Sequence, residues 1–251
     1  MNDRIGPLRA EVTGPESEKF TAPLLLVHGL WERAPAWRRF AGYLAHRGWR
    51  CVAVERRGDA IDVEAHAGDL RAAIAALDAA PVILGHDLGA LLALRCADVA
   101  RAVVALAPLV GPPLGPPPPA LQSAGSWLAR RRRTPLRAPR GRWRAAYPER
   151  GIVEPAALVQ QICAGEPGLA APTNPPPCAL FAAQADEVTD PGAAQALARH
   201  VRADLQLVAG LGHAALDAPG WETAVAAVHR WIIQHLGVDL LALYEEPSRP
   251  E

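Results

Sequence analysis

The stretch PVILGHDLGALLAL, residues 81–94, limits what this chain can become more than any other. An apolar run stops at Gly85, and apolar residues at helical spacing resume after Gly89. A short apolar run bounded by turn residues reads as a strand buried on both faces. A helix following so tight a turn implies alternating strands and helices. The same alternation recurs along the chain. Strands are expected at 22–27 (APLLLV), 50–55 (RCVAVE), 82–85, 102–106 (AVVAL), 178–183 (CALFAA) and 204–208 (DLQLV). Helices are expected at 36–46, 64–79, 90–100, 191–201 and 221–236. This pattern predicts an α/β fold with a mostly parallel sheet flanked by helices. With 251 residues, half of them hydrophobic, the chain can build one sizeable core but not two large ones.

The alternation lapses between 108 and 177. That segment opens on GPPLGPPPPA and ends on APTNPPP, with weak helical patches at 120–131 and 155–165. Proline disfavours ladder hydrogen bonds and helix interiors. The expected organisation is a core formed by 1–107 and 178–251, with 108–177 as a small Pro/Arg-rich lid insertion. Of 26 basic residues only Lys19 is lysine, and nine arginines crowd into 130–150. A solvated arginine-biased loop accounts for them; an anionic substrate or partner near the lid is the sharper reading.

The formal net charge is zero, so the chain is not built to sit on nucleic acid. Cys51, Cys96, Cys163 and Cys178 have no CxxC spacing and no clustered histidines, so a zinc site is not expected, and no cofactor is expected. No apolar run reaches membrane-spanning length and the N-terminus lacks a signal-peptide core, so a soluble cytoplasmic protein without an integral membrane segment is expected. The apolar patch 240–244 (LLALY) can dock on the core or pair two copies in a homodimer.

Three residues follow strands at their carboxyl ends, where open α/β sheets bind ligands. Asp87 lies in the tight turn, at a helix N-terminus that favours an anion. Asp186 follows the strand at 178–183, and His213 follows the strand at 204–208. Each has a plainer reading: helix cap for the two aspartates, surface loop for the histidine. Glu187 or Asp190 could also supply the second carboxylate; Asp186 is preferred because it comes directly at the strand's end. The order nucleophile, acid, histidine is that of a Ser-type triad, with aspartate in the serine's place.

The pieces LLLVHGLW (24–31), CVAVERRGD (51–59), VILGHDLGA (82–90), LFAAQADEV (180–188) and GLGHAAL (210–216) together resemble the α/β-hydrolase superfamily over about 22–236. The N-terminal half is similar to bacterial esterase and lysophospholipase-like members. The GHDLGA turn resembles the branch with an aspartate nucleophile: epoxide hydrolases, haloalkane dehalogenases and fluoroacetate dehalogenases. No branch's full set is present. Leu88 and Leu30 stand where haloalkane dehalogenases tend to place tryptophan and asparagine. Leu88 and Leu91 stand where fluoroacetate dehalogenases have arginines. Trp31 replaces the proline of epoxide hydrolases, and only Tyr147 is a lid tyrosine.

The resemblance implies that Asp87 attacks a carbon of a small apolar substrate, an epoxide or an organohalide, and forms an alkyl-enzyme ester. His213 would activate the water that cleaves it, Asp186 would orient His213, and the Leu30 and Leu88 N–H groups would form an oxyanion hole. Trp31, Trp127, Trp143 and Tyr147 are the candidate substrate-binding residues. Ordinary ester cleavage is disfavoured, because a carboxylate attacking an acyl carbon gives an anhydride and leaves histidine no proton to take. The alternatives are a lyase or cyclase using Asp87 and His213 as acid and base, or a catalytically silent ligand-binding protein.

Overall fold

The computed structural model describes residues 2–125, 134–149, 151–166 and 168–240. Five short apolar strands form the middle of one sheet: β3 (Leu24–Val27), β4 (Cys51–Glu55), β5 (Val82–His86), β6 (Ala102–Leu106) and β9 (Cys178–Ala183). All five are parallel to their neighbours among this set. Successive side chains point to opposite faces of a strand. Accordingly Leu25, Val27, Ile83 and Val103 join one apolar cluster, and Leu24, Leu26, Leu84 and Val104 join the other. This two-sided burial explains why these strands read as unbroken apolar runs.

Among the described residues the sheet has eight strands in the order β1-β2-β4-β3-β5-β6-β9-β10. The parallel edge strand β10 (Asp204–Val208) pairs with β9 and leaves Leu207 exposed. The opposite edge is antiparallel: β1 (Asn2–Ile5) pairs with β2 (Leu8–Thr13), which pairs with β4. Neither N-terminal strand was expected. In β2 only Leu8 and Ala10 are buried, with Arg9 exposed between them, so its apolar signal is short and interrupted.

Helices cover both faces. On one side α1 (Arg38–Ala45) sets Phe40 and Leu44 against Val225 and Val228 of α7 (Trp221–Leu240) in a shared cluster. On the other lie α2 (Val63–Ala75), α3 (Leu88–Arg95) and α6 (Pro191–Val201). Helix starts follow capping chemistry: the Asp62 carboxylate accepts the Ala65 N–H, and the Asp190 carboxylate accepts those of Gly192 and Ala193. Among the described residues no helix is long and apolar enough to cross a membrane.

Between β6 and β9 the chain forms α4 (Pro119–Gly125), β7 (Pro135–Arg137), β8 (Val153–Pro155) and α5 (Ala156–Ala164). The helical patch expected at 120–131 is helix through Gly125, and its remainder lies outside the described residues. So do Trp127, Arg130, Arg131, Arg132, Arg133, Arg150 and the tail patch at 241–244. The strand pair β7–β8 arises despite the proline content of this segment. Pro135 and Pro155 sit opposite each other at the outer end of a three-residue ladder, where a missing N–H costs least. Arg137, Arg140, Arg142 and Arg144 are exposed, as the solvated-loop reading requires.

The β5–α3 turn depends on two glycines for close approach rather than for positive φ. A Cβ on Gly89 would lie 2.0 Å from the Val27 carbonyl oxygen, and one on Gly85 would lie 2.2 Å from that of Gly89. Both neighbours are backbone and cannot swing away. Gly89→Ala is therefore expected to destabilise the fold by about 3 kcal/mol, the upper range for overpacking; urea unfolding against wild type measures it.

Candidate active site

The β5–α3 turn forces Asp87 to φ 54°, ψ −117°, outside the regions open to most L-residues. Such a residue costs about 1–3 kcal/mol, which surrounding contacts must over-determine. They do so at both carboxylate oxygens. Oδ1 accepts the N–H of Leu30 at 2.7 Å and that of Leu88 at 2.5 Å. Oδ2 lies 2.9 Å from His213 Nε2 and accepts the Tyr147 hydroxyl at 2.9 Å. The expected helix-cap contact is thus present, and it is one of four.

His213 Nδ1 lies 3.0 Å and 3.1 Å from the two oxygens of Asp186. Asp186 Oδ1 is fixed by the N–H groups of Val188 (2.7 Å) and Thr189 (2.9 Å). The competing carboxylate of Asp190 caps α6 instead. Asp87, Asp186 and His213 therefore meet, though they are far apart in sequence.

The N–H groups of Leu30 and Leu88 converge on one acceptor. Their acceptor is the Asp87 carboxylate itself, because a carboxylate has a second oxygen that reaches back into the hole. The four aromatic candidates divide. Tyr147, buried at 2% exposure, touches Asp87. Trp31 does not offer its indole to a substrate: its Nε1–H donates to the Leu136 carbonyl (2.9 Å), and its ring meets Tyr147 edge-on with centroids 5.0 Å apart. Trp143 is buried in the apolar cluster, where its carbonyl accepts the Tyr147 N–H. Trp127 lies outside the described residues.

Sequence reasoning missed the buried polar residues behind these contacts. Glu32 Oε2 accepts the Gly29 N–H (2.7 Å) and faces His86 Nδ1 (2.9 Å), while His86 Nε2 reaches the His213 carbonyl (2.8 Å). One carboxylate so ties the loop presenting Leu30 to the loop presenting His213. Arg56 donates to the Gly29 carbonyl (2.7 Å) and to Glu154 (2.6 Å), and Glu154 accepts the Trp31 N–H (3.0 Å). The available signal was charge in apolar surroundings: a glutamate directly after HGLW and a histidine inside the GHDLG turn. Among the described residues no group of three or more His, Cys, Asp or Glu is placed to hold a metal.

Burial alone would push the Asp87 carboxyl up, but the hydrogen bond and charge of His213, the charge of His86 and the Leu30 N–H outweigh it and hold it below the usual range. Burial likewise opposes charge on His213, yet Asp186 and Asp87 raise it well above the ordinary histidine value. Burial, then the charge and hydrogen bond of Asp87, push the Tyr147 phenol well above its ordinary value. The site holds the His213 imidazole between two carboxylates, with a phenol sharing one of them. Asp87 and His213 are both 0% exposed.

The profile of the alpha/beta hydrolase family matches residues 24–227. The chain belongs to the alpha/beta hydrolase family. Among solved structures, the monoacylglycerol lipase of Paleococcus ferrophilus is similar at 22% identity and TM-score 0.71, covering 91% of this chain and 99% of that one. A putative lipase from Acinetobacter baumannii AYE is similar at 18% identity and TM-score 0.69, covering 95% and 92%. An epoxide hydrolase from Vigna radiata is similar at 16% identity and TM-score 0.63, covering 93% and 97%. At these identities the likeness is one of fold. No curated protein matches the chain.

His213 links the site to stability. Its proton affinity is higher folded than unfolded, so its contribution is complete below the unfolded value and fades as pH rises through the folded one. The stability gap between wild type and His213→Gln, measured by urea unfolding, should be largest near about pH 6 and narrow steadily through the alkaline range.

Proposed function

We propose that this protein is a hydrolase that opens small, mostly apolar epoxides, with Asp87 as the attacking carboxylate. His213 serves as the base for water, and Asp186 orients it. The observation that carries this reading is the division of labour within one carboxylate: Oδ1 faces the two N–H donors, and Oδ2 faces His213 and the Tyr147 hydroxyl. A serine has one side-chain oxygen and could not serve both positions.

The chemistry follows from those contacts. Oδ2 attacks a ring carbon, the carbon–oxygen bond breaks, and the leaving oxygen takes the Tyr147 proton. Asp87 is then a neutral ester, and the negative charge that raised both Tyr147 and His213 is gone. The imidazolium can now return a proton to the phenolate and become a neutral base. His213 deprotonates water, which attacks Cγ, and charge develops on Oδ1 between the Leu30 and Leu88 N–H groups. Each such donor stabilises the transition state by about 3 kcal/mol. Collapse breaks the Cγ–Oδ2 bond and the diol leaves with that oxygen, protonated by His213. The Asp87 carboxyl, now carrying an oxygen from water, gives its proton back to His213.

An epoxide suits the site better than an organohalide. Its leaving oxygen needs an acid, and Tyr147 is one. A halide needs N–H donors, and the Trp31 indole N–H is engaged by Leu136. An epoxide oxygen would enter by taking over the hydrogen bond that Tyr147 now makes to Oδ2. The complete burial of Asp87 favours a second reading, in which the protein is a silent ligand-binding member of its family.

Three experiments decide. In His213→Gln, styrene oxide should leave a covalent adduct on the peptide bearing Asp87, seen by mass spectrometry. Wild type turning over in oxygen-18 water should carry the label into Asp87, which an acid–base lyase or cyclase would not do. Absence of an adduct with every epoxide tried would sink the proposal. Tyr147→Phe should slow adduct formation from styrene oxide by about a hundredfold or more, while leaving alkylation by an alkyl bromide, whose leaving group needs no proton, within a few-fold.

A further inference from the structure

A cleft of about 640 Å³ lies among β1, β2, the ends of β3 and β4, and residues 151–154. Its lining includes His28 and Glu32 but neither Asp87, His213 nor Tyr147. Its volume is that of a small-molecule site. Five arginines face it: Arg4, Arg9, Arg33, Arg56 and Arg57.

The backbone sets two of these side by side. Arg4 in β1 is directly opposite Arg9 in β2, and Arg9 is directly opposite Glu55 in β4. Glu55 is already committed to Arg33 (3.2 Å) and to the Ala34 N–H (2.9 Å). Like charges directly opposite on an antiparallel pair are destabilising. Arg4 donates to the Pro7 carbonyl at 3.3 Å, and among the described residues no carboxylate lies within 4.0 Å of a guanidinium nitrogen of Arg4 or Arg9.

The remaining charged groups of the cleft have partners. Arg56 faces Glu154, Arg57 faces Asp59 and Asp69, and Glu32 faces His86. Arg4 and Arg9 have no carboxylate partner among the described residues, and because Arg57 meets two carboxylates the cleft as a whole keeps only a small net positive charge. A third feature lies in the cleft wall. The Arg56 side chain is 5% exposed, and its buried Nε–H has no hydrogen-bond partner among the described residues. A donor left unmade in such a place carries a desolvation cost.

We propose that this cleft is a second ligand site, built for the phosphate monoester group of a small molecule. Two adjacent guanidinium groups match a dianionic phosphate in charge and in paired hydrogen-bond geometry, whereas a single carboxylate would leave one positive charge unmatched. The rest of the cleft is large enough for the body of the ligand, which would lie against the residues that brace the Gly29–Leu30 backbone. This inference is independent of the reaction assigned to Asp87.

Thermal unfolding of the full chain in low-salt buffer tests it, with phenyl phosphate, inorganic phosphate and benzoate as probes. Phenyl phosphate should raise the melting temperature most and benzoate least. Replacing both Arg4→Gln and Arg9→Gln should abolish the shift and weaken phenyl phosphate binding, by calorimetry, by about tenfold or more. Both positions are exposed, so the variant should fold. Without added anion it should be as stable as wild type or more so, since the like-charge pair is gone; a merely structural role for these arginines would lower it. Asp87→Asn should keep the shift, which separates this cleft from the buried site. Three results would each overturn the proposal: no shift with either phosphate at millimolar concentration, a shift that survives in the double variant, or benzoate matching phenyl phosphate.

Discussion

Removing a carboxylate wholly from water requires that its charge and its lone pairs be met by the protein. Asp87 meets that requirement with two backbone N–H groups on one oxygen and an imidazole and a phenol on the other. Much of the surrounding structure can be read as what those four donors need. Leu88 is supplied by the strained turn, which two glycines allow to sit tight against β3. Leu30 is supplied by the loop after β3, His213 by the loop after β10, and Tyr147 by the segment between β6 and β9.

Donors on four separate segments hold their positions only if those segments are fixed relative to one another. Buried charge does this. Glu32 joins the loop after β3 to the His213 loop through His86. Arg56 and Glu154 join the same loop to β8, so the β7–β8 strand pair is anchored next to Leu30. Breaking one partner of such a pair leaves an uncompensated buried charge, far more costly than losing a surface ion pair. These residues shape the site without touching a reacting atom.

Protonation in the site is coupled for the same reason. The negative charge on Asp87 raises both His213 and Tyr147, so neutralising Asp87 lowers both together. In the proposed reaction His213 becomes a base only once that charge is consumed. The cleft at the β1–β2 edge shows the opposite condition. There two arginines stand together with no carboxylate within 4.0 Å among the described residues, on a strand pair at the margin of the sheet where solvent or a ligand can compensate them.

The sequence by itself determined the sheet's interior, its flanking helices and the order of Asp87, Asp186 and His213 along the chain. Strands buried on both faces need unbroken apolar runs, and tight turns need glycine, so both leave marks readable residue by residue. The N-terminal strands left a weaker mark, because an edge strand with one open face carries charges such as Arg9 between its buried residues. Only the tertiary structure decided that the N–H groups of Leu30 and Leu88 hold the carboxylate's own oxygen, that Tyr147 rather than Trp31 or Trp143 meets it, and that Glu32, His86, Arg56 and Glu154 are buried partners. The reason is that hydrogen-bond partnership depends on distances between segments remote in sequence, such as residues 30, 87, 147 and 213, and local composition and periodicity carry no information about those distances.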